Sequence, residues 1–441
     1  MKKALIITYY WPPSGGPGVQ RWLKFIKYLP LQGFEPTVLT VDDRQAYYPL
    51  LDEKLANDVA PGVRVIRTPT FEPFGLYGRF TGKRHLPKPG FAGEGKPGLI
   101  QTISRFIRGN FFIPDPRKGW NRHLVKAALK LCREESFTII ITSSPPHSTQ
   151  LAGLRIKQLT GLPWIADLRD PWTDIYYYHE FRHLPFVRRK DKHLERTVLE
   201  QADAVIVVSQ SIKNLFVSKS AFIAPEKVHI IPNGFDPTDF TSHPSPDSGK
   251  MMITYTGTMA ANYNIDGFIK AVATLVNRQP QIQLSINLIG KISPAITTKL
   301  REHALAGYCH FTDYLPHHEV LFHTQSANIL LLVVPDVAHN DGILTGKLFE
   351  YLATGSTILG IGPPTGDAGA IIKETNQGVM FHYSDVGGMT EFLTECYQRW
   401  TNGDTLKSDN SRAQVYARPA LTIKLAKVMN QLIDSGQQKH S

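Results

Sequence analysis

The sequence predicts an α/β protein built from two successive doubly wound parallel sheets, on three observations. Short runs rich in Ile, Val and aromatic residues recur along the chain, each bounded by Gly, Pro, Asp or Ser. Segments of helix length separate most successive runs, which makes the strands parallel and joins them by right-handed crossovers. The alternation stops once, in the turn-rich stretch 232–249, and then restarts, so the 441 residues divide into two domains of about 200 residues each.

In chain order, the first half carries strands at Ala4–Tyr10, Thr37–Thr40, Val63–Arg67, Thr138–Ser143, Trp164–Leu168, Ala204–Val208 and Val228–Ile231. Helices at Val19–Leu29, Asn121–Glu134, Ser148–Leu159, Arg188–Gln201 and Ser211–Ser218 lie between them. The stretch from Pro232-Asn233-Gly234 to Asp247-Ser248-Gly249 reads as a linker. Beyond it, strands at Met252–Tyr255, Leu284–Ile289, Ile329–Val333, Thr357–Ile361 and Val379–Phe381 alternate with helices near Ile265–Val276, Ala295–Ala306, Lys347–Leu352, Ala368–Thr375 and Met389–Trp400. A last helical stretch, Ala420–Ile433, is left over. Two Rossmann-like domains, 1–235 and 236–410, followed by a terminal segment 411–441, are therefore expected. Ligands of such sheets bind outside the carboxyl ends of the strands, so two domains facing each other would share one cleft.

Composition excludes several classes. A hydrophobic share of 42% with 20% charged residues supports buried cores and excludes global disorder. Cys132, Cys309 and Cys396 lie far apart, so neither a disulfide framework nor a zinc ribbon is available, and a reducing cytosol fits best. The basic, apolar start meets Trp11-Pro12-Pro13 before any cleavage-like site and reads as a strand rather than a signal peptide. The apolar run Ile329–Val334 is far short of the roughly 20 residues that span a bilayer.

The net charge of +11 is concentrated. Between Arg79 and Lys126 eleven Lys and Arg face only Glu94 and Asp115. Such a patch attracts polyanions, anionic membranes or diphosphate-bearing substrates, and no nucleic-acid motif accompanies it. Apolar residues from Leu99 to Ile113 interleave with it at near-helical spacing, as in a segment resting among lipid headgroups. Arg105, Phe106, Arg108, Phe111 and Phe112 are the expected membrane contacts.

Several strand ends carry chemistry. Trp11-Pro12-Pro13-Ser14-Gly15-Gly16-Pro17-Gly18 joins the first strand to a helix, where glycines admit a ligand and the helix start offers N–H groups to an anion. It lacks the G-x-G-x-x-G spacing of dinucleotide sites. His147 closes another strand-to-helix turn, from which it can donate to a hydroxyl or phosphate. Asp167, Arg169 and Asp170 end the next strand and suit hydroxyl recognition. In the second half Gly257, Thr258 and Lys291 follow strands. Gly346, Lys347 and Glu350 open a helix, with Lys347 and Glu350 three apart on one face, so a diphosphate grip and a ribose acceptor lie side by side.

At these residues the chain resembles the retaining family-4 glycosyltransferases of the GT-B fold, of the kind that builds bacterial cell-surface polysaccharide. The resemblance runs through the Pro-Pro-x-x-Gly-Gly loop, Ile-Pro-Asn-Gly-Phe-Asp at 231–236, Tyr-x-Gly at 255–257 and Lys-Leu-Phe-Glu-Tyr-Leu-Ala at 347–353. It implies a UDP- or GDP-sugar donor on the C-terminal domain, an acceptor on the N-terminal domain, and a last helix returning to the N-terminal domain. It implies no metal and no cofactor beyond the donor substrate. Carried over by position, Glu350 resembles the ribose-binding second acid of an E-x7-E pattern and Lys347 a diphosphate contact. Gly16 resembles the loop glycine beside the donor phosphates, and His147 the histidine facing the transferred sugar. The donor set is then Gly16, Gly257, Thr258, Lys291, Gly346, Lys347 and Glu350, and the acceptor set Gly15, Asp167, Arg169 and Asp170. Two departures stand out: position 342, where the first acid belongs, is Gly342, and 258–266 holds no Lys or Arg.

The resulting expectation is a cytoplasmic enzyme, peripheral on the inner face of the cell membrane, that moves a sugar to a glycan or lipid-linked acceptor without binding nucleic acid. A nucleotide-sugar epimerase or hydrolase of the same fold, and a polyanion-binding protein, are the alternatives. A zinc hydrolase is the remaining one, because His179-Glu180-Phe181-Arg182-His183 matches H-E-x-x-H. Against it, Pro185 reads as a helix stop two residues on.

Overall fold

A computed structural model describes residues 1–72, 99–240 and 249–438. Its contacts divide the chain into two units, Met1–Pro232 with Arg418–Ser441, and Asn233–Ala417.

In the first unit, β1 (Lys2–Ile7), β2 (Phe34–Val41), β3 (Arg64–Thr68), β4 (Phe137–Ser144), β5 (Trp164–Leu168), β6 (Ala204–Val207) and β7 (Val228–Ile230) form a parallel sheet in the order β3-β2-β1-β4-β5-β6-β7. Successive residues of β1 serve opposite faces: Ala4 and Ile6 pack with Trp22 and Phe25, and Leu5 and Ile7 with Trp120 and Trp164. Both faces are covered, which is why these strands read as continuous apolar runs rather than as alternating ones. The helix Arg418–Gln438 lays Leu421, Leu425, Met429 and Ile433, a stripe at i, i+4 spacing, into the Trp22 cluster. Burial of each of these side chains contributes about 1.5–3 kcal/mol, and Lys2 Nζ ties the helix to the sheet through Asn430 Oδ1 at 2.7 Å.

In the second unit, β8 (Met251–Thr256), β9 (Leu284–Ile289), β10 (Cys309–Thr312), β11 (Ile329–Val333), β12 (Thr357–Ile361) and β13 (Gly378–Phe381) form a parallel sheet in the order β10-β9-β8-β11-β12-β13. Ile329, Leu331 and Val333 enter one core, and Leu330 and Leu332 the other.

Several expectations need correction. The units part at 232/233 and 417/418 rather than at 235/236 and 410/411. Phe235 pairs with Ala417, and both pack with Phe349, Ala413 and Tyr416 in a core of the second unit, which draws both connecting segments into it. Only 232–240 and Gly249 of the expected linker are described. The helix expected to reach Ala306 spans Pro294–Glu302, because Ala304 turns into the left-handed region at φ +58°. Strand β10 and the helix His317–Ser326 escaped the sequence reading. The strand is an edge with only Cys309 buried, and the helix buries Thr324, Gln325 and Ser326 alongside Leu321, so neither shows an apolar period. Pro185 opens a helix, Pro185–Gln201, at its first position, where its missing N–H is harmless.

Candidate functional site

Each unit holds a group of the expected residues at the carboxyl ends of its strands. In the second unit the strand ends approach backbone to backbone. Gly257 (φ +100°) and Gly290 (φ +112°) both adopt the left-handed region, and a side chain at Gly290 would stand 2.4 Å from the Gly257 carbonyl oxygen. Glycine is required at both positions. The space over Gly257 is bounded by Lys347, whose Nζ lies 3.3 Å from where a Cβ would be. Lys347 Nζ donates to the Tyr255 hydroxyl at 2.8 Å and sits 4.0 Å from the centre of that ring. Tyr255 in turn donates to the Thr258 carbonyl at 2.5 Å. Burial lowers the Lys347 pKa to about 7, with Glu350 opposing the shift.

Lys347 sits in the first turn of the helix Gly346–Thr354, whose N-terminus is open. Thr345 makes no side-chain cap, its Oγ1 is buried without a partner, and the first turn holds no acid. Unfilled N–H groups, the positive end of the helix dipole and a lysine therefore converge at one point, an arrangement that suits a diphosphate. Tyr351 moors the helix by hydrogen bonds at 3.1 Å to the Thr256 amide and hydroxyl. Glu350, one turn along, is half-buried and accepts a hydrogen bond from His317 Nε2 at 3.0 Å. His317 had no sequence signal because its helix had none. Thr258 and Lys291 are exposed beyond the strand ends, joined through the Lys291 carbonyl to the Met259 amide at 2.9 Å. Asp341 is exposed in the 3-10 turn Asn340–Gly342, and Gly342 has no acid to offer.

In the first unit, Gly16 (φ +100°) precedes the helix Pro17–Tyr28, which has no side-chain cap and no acid in its first turn. A side chain at Gly16 would meet nothing within 4 Å, so the loop surface there is open. His147 stacks on Trp172 (centroids 4.8 Å apart, planes at 9°), and its Nδ1 is buried with no hydrogen-bond partner. Burial, then the charges of Arg169 and Lys219, lowers its pKa to about 3, so the ring is neutral near pH 7. The Trp172 indole N–H is held by Asp191 Oδ1 at 2.9 Å, and Lys219 bridges Glu195 (2.6 Å) and Asp174 behind it. Because His147 titrates at about 6.5 when unfolded and at about 3 when folded, the unfolded chain binds more protons between those values. The His147 contribution to stability is therefore lost as pH falls through that window. Replacing His147 by Asn is expected to flatten this part of the melting-temperature profile between pH 6.5 and 4, measured against wild type. Parallel profiles would remove the assignment.

Four members of the expected acceptor and membrane sets have other roles. Asp167 is fully buried, and its carboxylate takes Arg21 (2.8 Å), Trp22 Nε1 (2.8 Å) and Ser143 Oγ (2.9 Å), so it is the fold's counter-ion to Arg21 and is closed to an acceptor. The Gly15 amide donates to the Leu50 carbonyl at 2.9 Å, and a side chain there would crowd Asp52 and Leu50 at 3.1 Å; this glycine serves loop packing. Arg169 and Asp170 remain partly exposed; the Arg169 guanidinium lies across Gly18 and donates from Nε to the Ser144 carbonyl at 3.2 Å. The helix Leu99–Phe111 turns Arg105 onto Glu180 (3.3 Å) and Arg108 onto the Phe181 ring (5.0 Å). Phe106 and Phe112 are partly buried, Phe112 under Lys118. Of the expected membrane contacts only Phe111 stands exposed, in a stripe with Ile103 and Ile107 at i, i+4 spacing. The basic positions from Arg79 to Lys96 lie outside the described residues. No helix among the described residues is long and apolar enough to cross a membrane.

The H-E-x-x-H segment does not form the helix that pattern requires. Tyr178–Phe181 is a single 3-10 turn and Arg182 is left-handed at φ +46°, so His179 and His183 share no helix face. The His183 ring stacks on Tyr178, Glu180 faces Arg105, and no cluster of three metal-binding side chains occurs among the described residues.

Residues 87–239 match the model of Glycosyltransferase Family 4. Alpha-maltose-1-phosphate synthase of Mycolicibacterium smegmatis is 23% identical over 330 residues, covering 69% of this chain and 79% of the relative. The fold is similar to that of sucrose-phosphate synthase from Thermosynechococcus elongatus, with a TM-score of 0.61 at 15% identity over 99% of this chain and 100% of the other. It is also similar to that of Anabaena HepE in complex with UDP-glucose, with a TM-score of 0.60 at 13% identity over 98% and 100% of the two chains. The architecture of two parallel-sheet Rossmann-like units is that of the GT-B glycosyltransferases, and the family match and fold together support sugar transfer.

Proposed function

We propose that the protein transfers a sugar, with retention and without a metal, from a nucleoside-diphosphate sugar to a glycan or lipid-linked acceptor. One observation carries this reading: the open N-terminus of Gly346–Thr354, where Lys347, the buried Thr345 hydroxyl and the Gly257 surface converge one turn from Glu350. The second unit then holds the donor, with its diphosphate on Lys347 and the helix N–H groups and its ribose on Glu350. Lys291 and Thr258 border the same strand ends. The departing diphosphate gathers negative charge as the glycosidic bond breaks, and a fixed ammonium with oriented N–H groups stabilises that charge where it develops. Those groups occupy the role that a cation has in metal-dependent transferases. The acceptor is held by the first unit, where Arg169, Asp170 and the neutral His147 line the strand ends. The acceptor hydroxyl attacks, and no side chain of the protein becomes a covalent nucleophile.

The stripe of Ile103, Ile107 and Phe111 supports a peripheral place on the inner face of the cell membrane, in a cytoplasmic protein whose acceptor belongs to a cell-surface glycan. UDP-glucose bound by HepE favours a uridine donor over a guanosine one.

The test is a thermal-shift panel of UDP, GDP, ADP, CMP and their sugar derivatives, with and without EDTA. A ligand that binds only the native state raises the melting temperature in step with its affinity. One nucleotide series is expected to respond, unchanged by EDTA and lost in Glu350→Ala. Silence from every nucleotide would exclude both this reading and that of a nucleotide-sugar epimerase or hydrolase. Product analysis separates those two from transfer: both act on the donor with no acceptor present.

A further inference from the structure

We propose that His317 is a positioning residue for donor binding: it fixes the Glu350 carboxylate in the orientation that accepts the ribose diol, and so sets a preference for ribonucleotides. The inference deepens the donor reading above and rests on it. Glu350 stands in the second turn of Gly346–Thr354, with 27% of its side chain exposed. A glutamate has three side-chain torsions, and a carboxylate that serves two neighbouring hydroxyls does so only at one setting of them. Lys347, three positions earlier, does not hold it there, because its ammonium donates to the Tyr255 hydroxyl at 2.8 Å. The hold comes from another helix: His317 Nε2 lies 3.0 Å from Glu350 Oε1. One such bond takes one of the roughly four acceptor sites of a carboxylate and leaves room for a pair of hydroxyls.

The imidazole is itself well placed for this task. It opens the helix His317–Ser326, which packs on Gly346–Thr354, and Pro316 just before it restricts the backbone at that point. Other contacts hold this element. Leu321 is buried in its middle, Lys407 Nζ donates to the Gln325 carbonyl at 2.7 Å, and Ser356 Oγ donates to the Ala327 carbonyl at 3.0 Å. Two helices that arrive by separate crossovers therefore meet at one carboxylate, and the one carrying His317 is anchored at its far end. A carboxylate oriented in advance loses less freedom when the ligand arrives, so each hydroxyl it accepts counts for more in affinity. The diphosphate end of the donor, at Lys347 and the helix N-terminus, has its own support in Tyr255 and Tyr351, so the two ends can be tested separately.

The experiment titrates UDP, GDP and ADP, each beside its 2′,3′-dideoxy form, into the full chain by calorimetry well below the melting temperature. The wild-type protein is expected to bind one of these ribonucleotides about tenfold or more tighter than its dideoxy form. His317→Ala is expected to weaken that ribonucleotide about 3–10-fold while the dideoxy form stays within about twofold. His317→Gln, whose amide still donates, should restore part of the difference. The ratio is taken on one folded protein at a time, so a general loss of stability does not move it. In a Glu350→Ala background, titrated at millimolar nucleotide, His317→Ala should add no further loss, because it acts only through that carboxylate. Equal weakening of both forms, an unchanged ratio, or a further loss in the Glu350→Ala background overturns the proposal; the last outcome would put the imidazole on the nucleotide itself. If His317→Ala is too unstable to titrate, His317→Phe, which keeps a ring and removes the donor, decides by the same ratio. A wild-type ratio retained in Glu350→Ala removes the ribose assignment and this proposal with it. A ratio lost there but kept in His317→Ala removes only the role of His317 and leaves the donor reading standing.

Discussion

Replacing Lys347 by Met is expected to lower transfer or donor turnover by about 10²–10³-fold, the effect of removing one preorganised group from a developing anion. The same residue predicts a pH dependence of donor binding. Burial lowers its pKa to about 7, so above that pH a growing fraction is neutral. A bound diphosphate favours the ammonium and raises the pKa, so binding takes up a proton. Apparent nucleoside-diphosphate affinity should therefore fall as pH rises from 7 to 9, by at most about tenfold per pH unit. Calorimetry in buffers of different ionisation enthalpy measures the proton directly: net uptake at pH 8 in wild type, none in the variant. A Lys347→Met protein with the wild-type rate, or affinity flat across this range, would falsify the diphosphate assignment.

Replacing Asp167 by Asn is expected to destabilise the first unit by about 3–5 kcal/mol, because it removes a fully buried carboxylate that pairs with a buried guanidinium. Arg21 and Asp167 have side chains 1% and 0% exposed, and Arg21 also donates to the Ile231 and Pro232 carbonyls at 3.0 Å each. The pair thus locks the first helix, the end of β5 and the chain's exit from the unit. Against a typical total of about 5–15 kcal/mol, such a loss is large enough to be seen at once in urea denaturation. Were Asp167 an acceptor contact instead, the variant would melt like wild type and show only a raised acceptor KM.

The contrast between these two residues shows how much of the site was legible. Lys347 and Glu350 are three residues apart on one helix, and the glycines that open space for a ligand follow strands that announce themselves by composition. All of that is local information, because helix and strand periods recur within a few residues. Asp167 followed a strand and looked equally available. Its closure depends on Arg21, 146 positions earlier, which no local pattern links to it. Arg105 and Arg108 present the same problem: on a helix rich in bases they read as a membrane face, whereas packing against Phe181 and Glu180 turns them inward and leaves Ile103, Ile107 and Phe111 outside.

The fold class, the two-part division and most element positions follow from the sequence, because a strand covered on both faces must be apolar throughout and a loop at its end needs glycine or proline wherever the backbone turns sharply. The direction of each polar side chain was decided by the tertiary structure. A carboxylate or ammonium meets its partner through the fold, as Asp167 meets Arg21 and Lys347 meets Tyr255. The edge strand β10 and the helix that presents His317 to Glu350 also belong to that second class. They are held by backbone pairing and buried polar contacts, which leave no apolar period in the sequence.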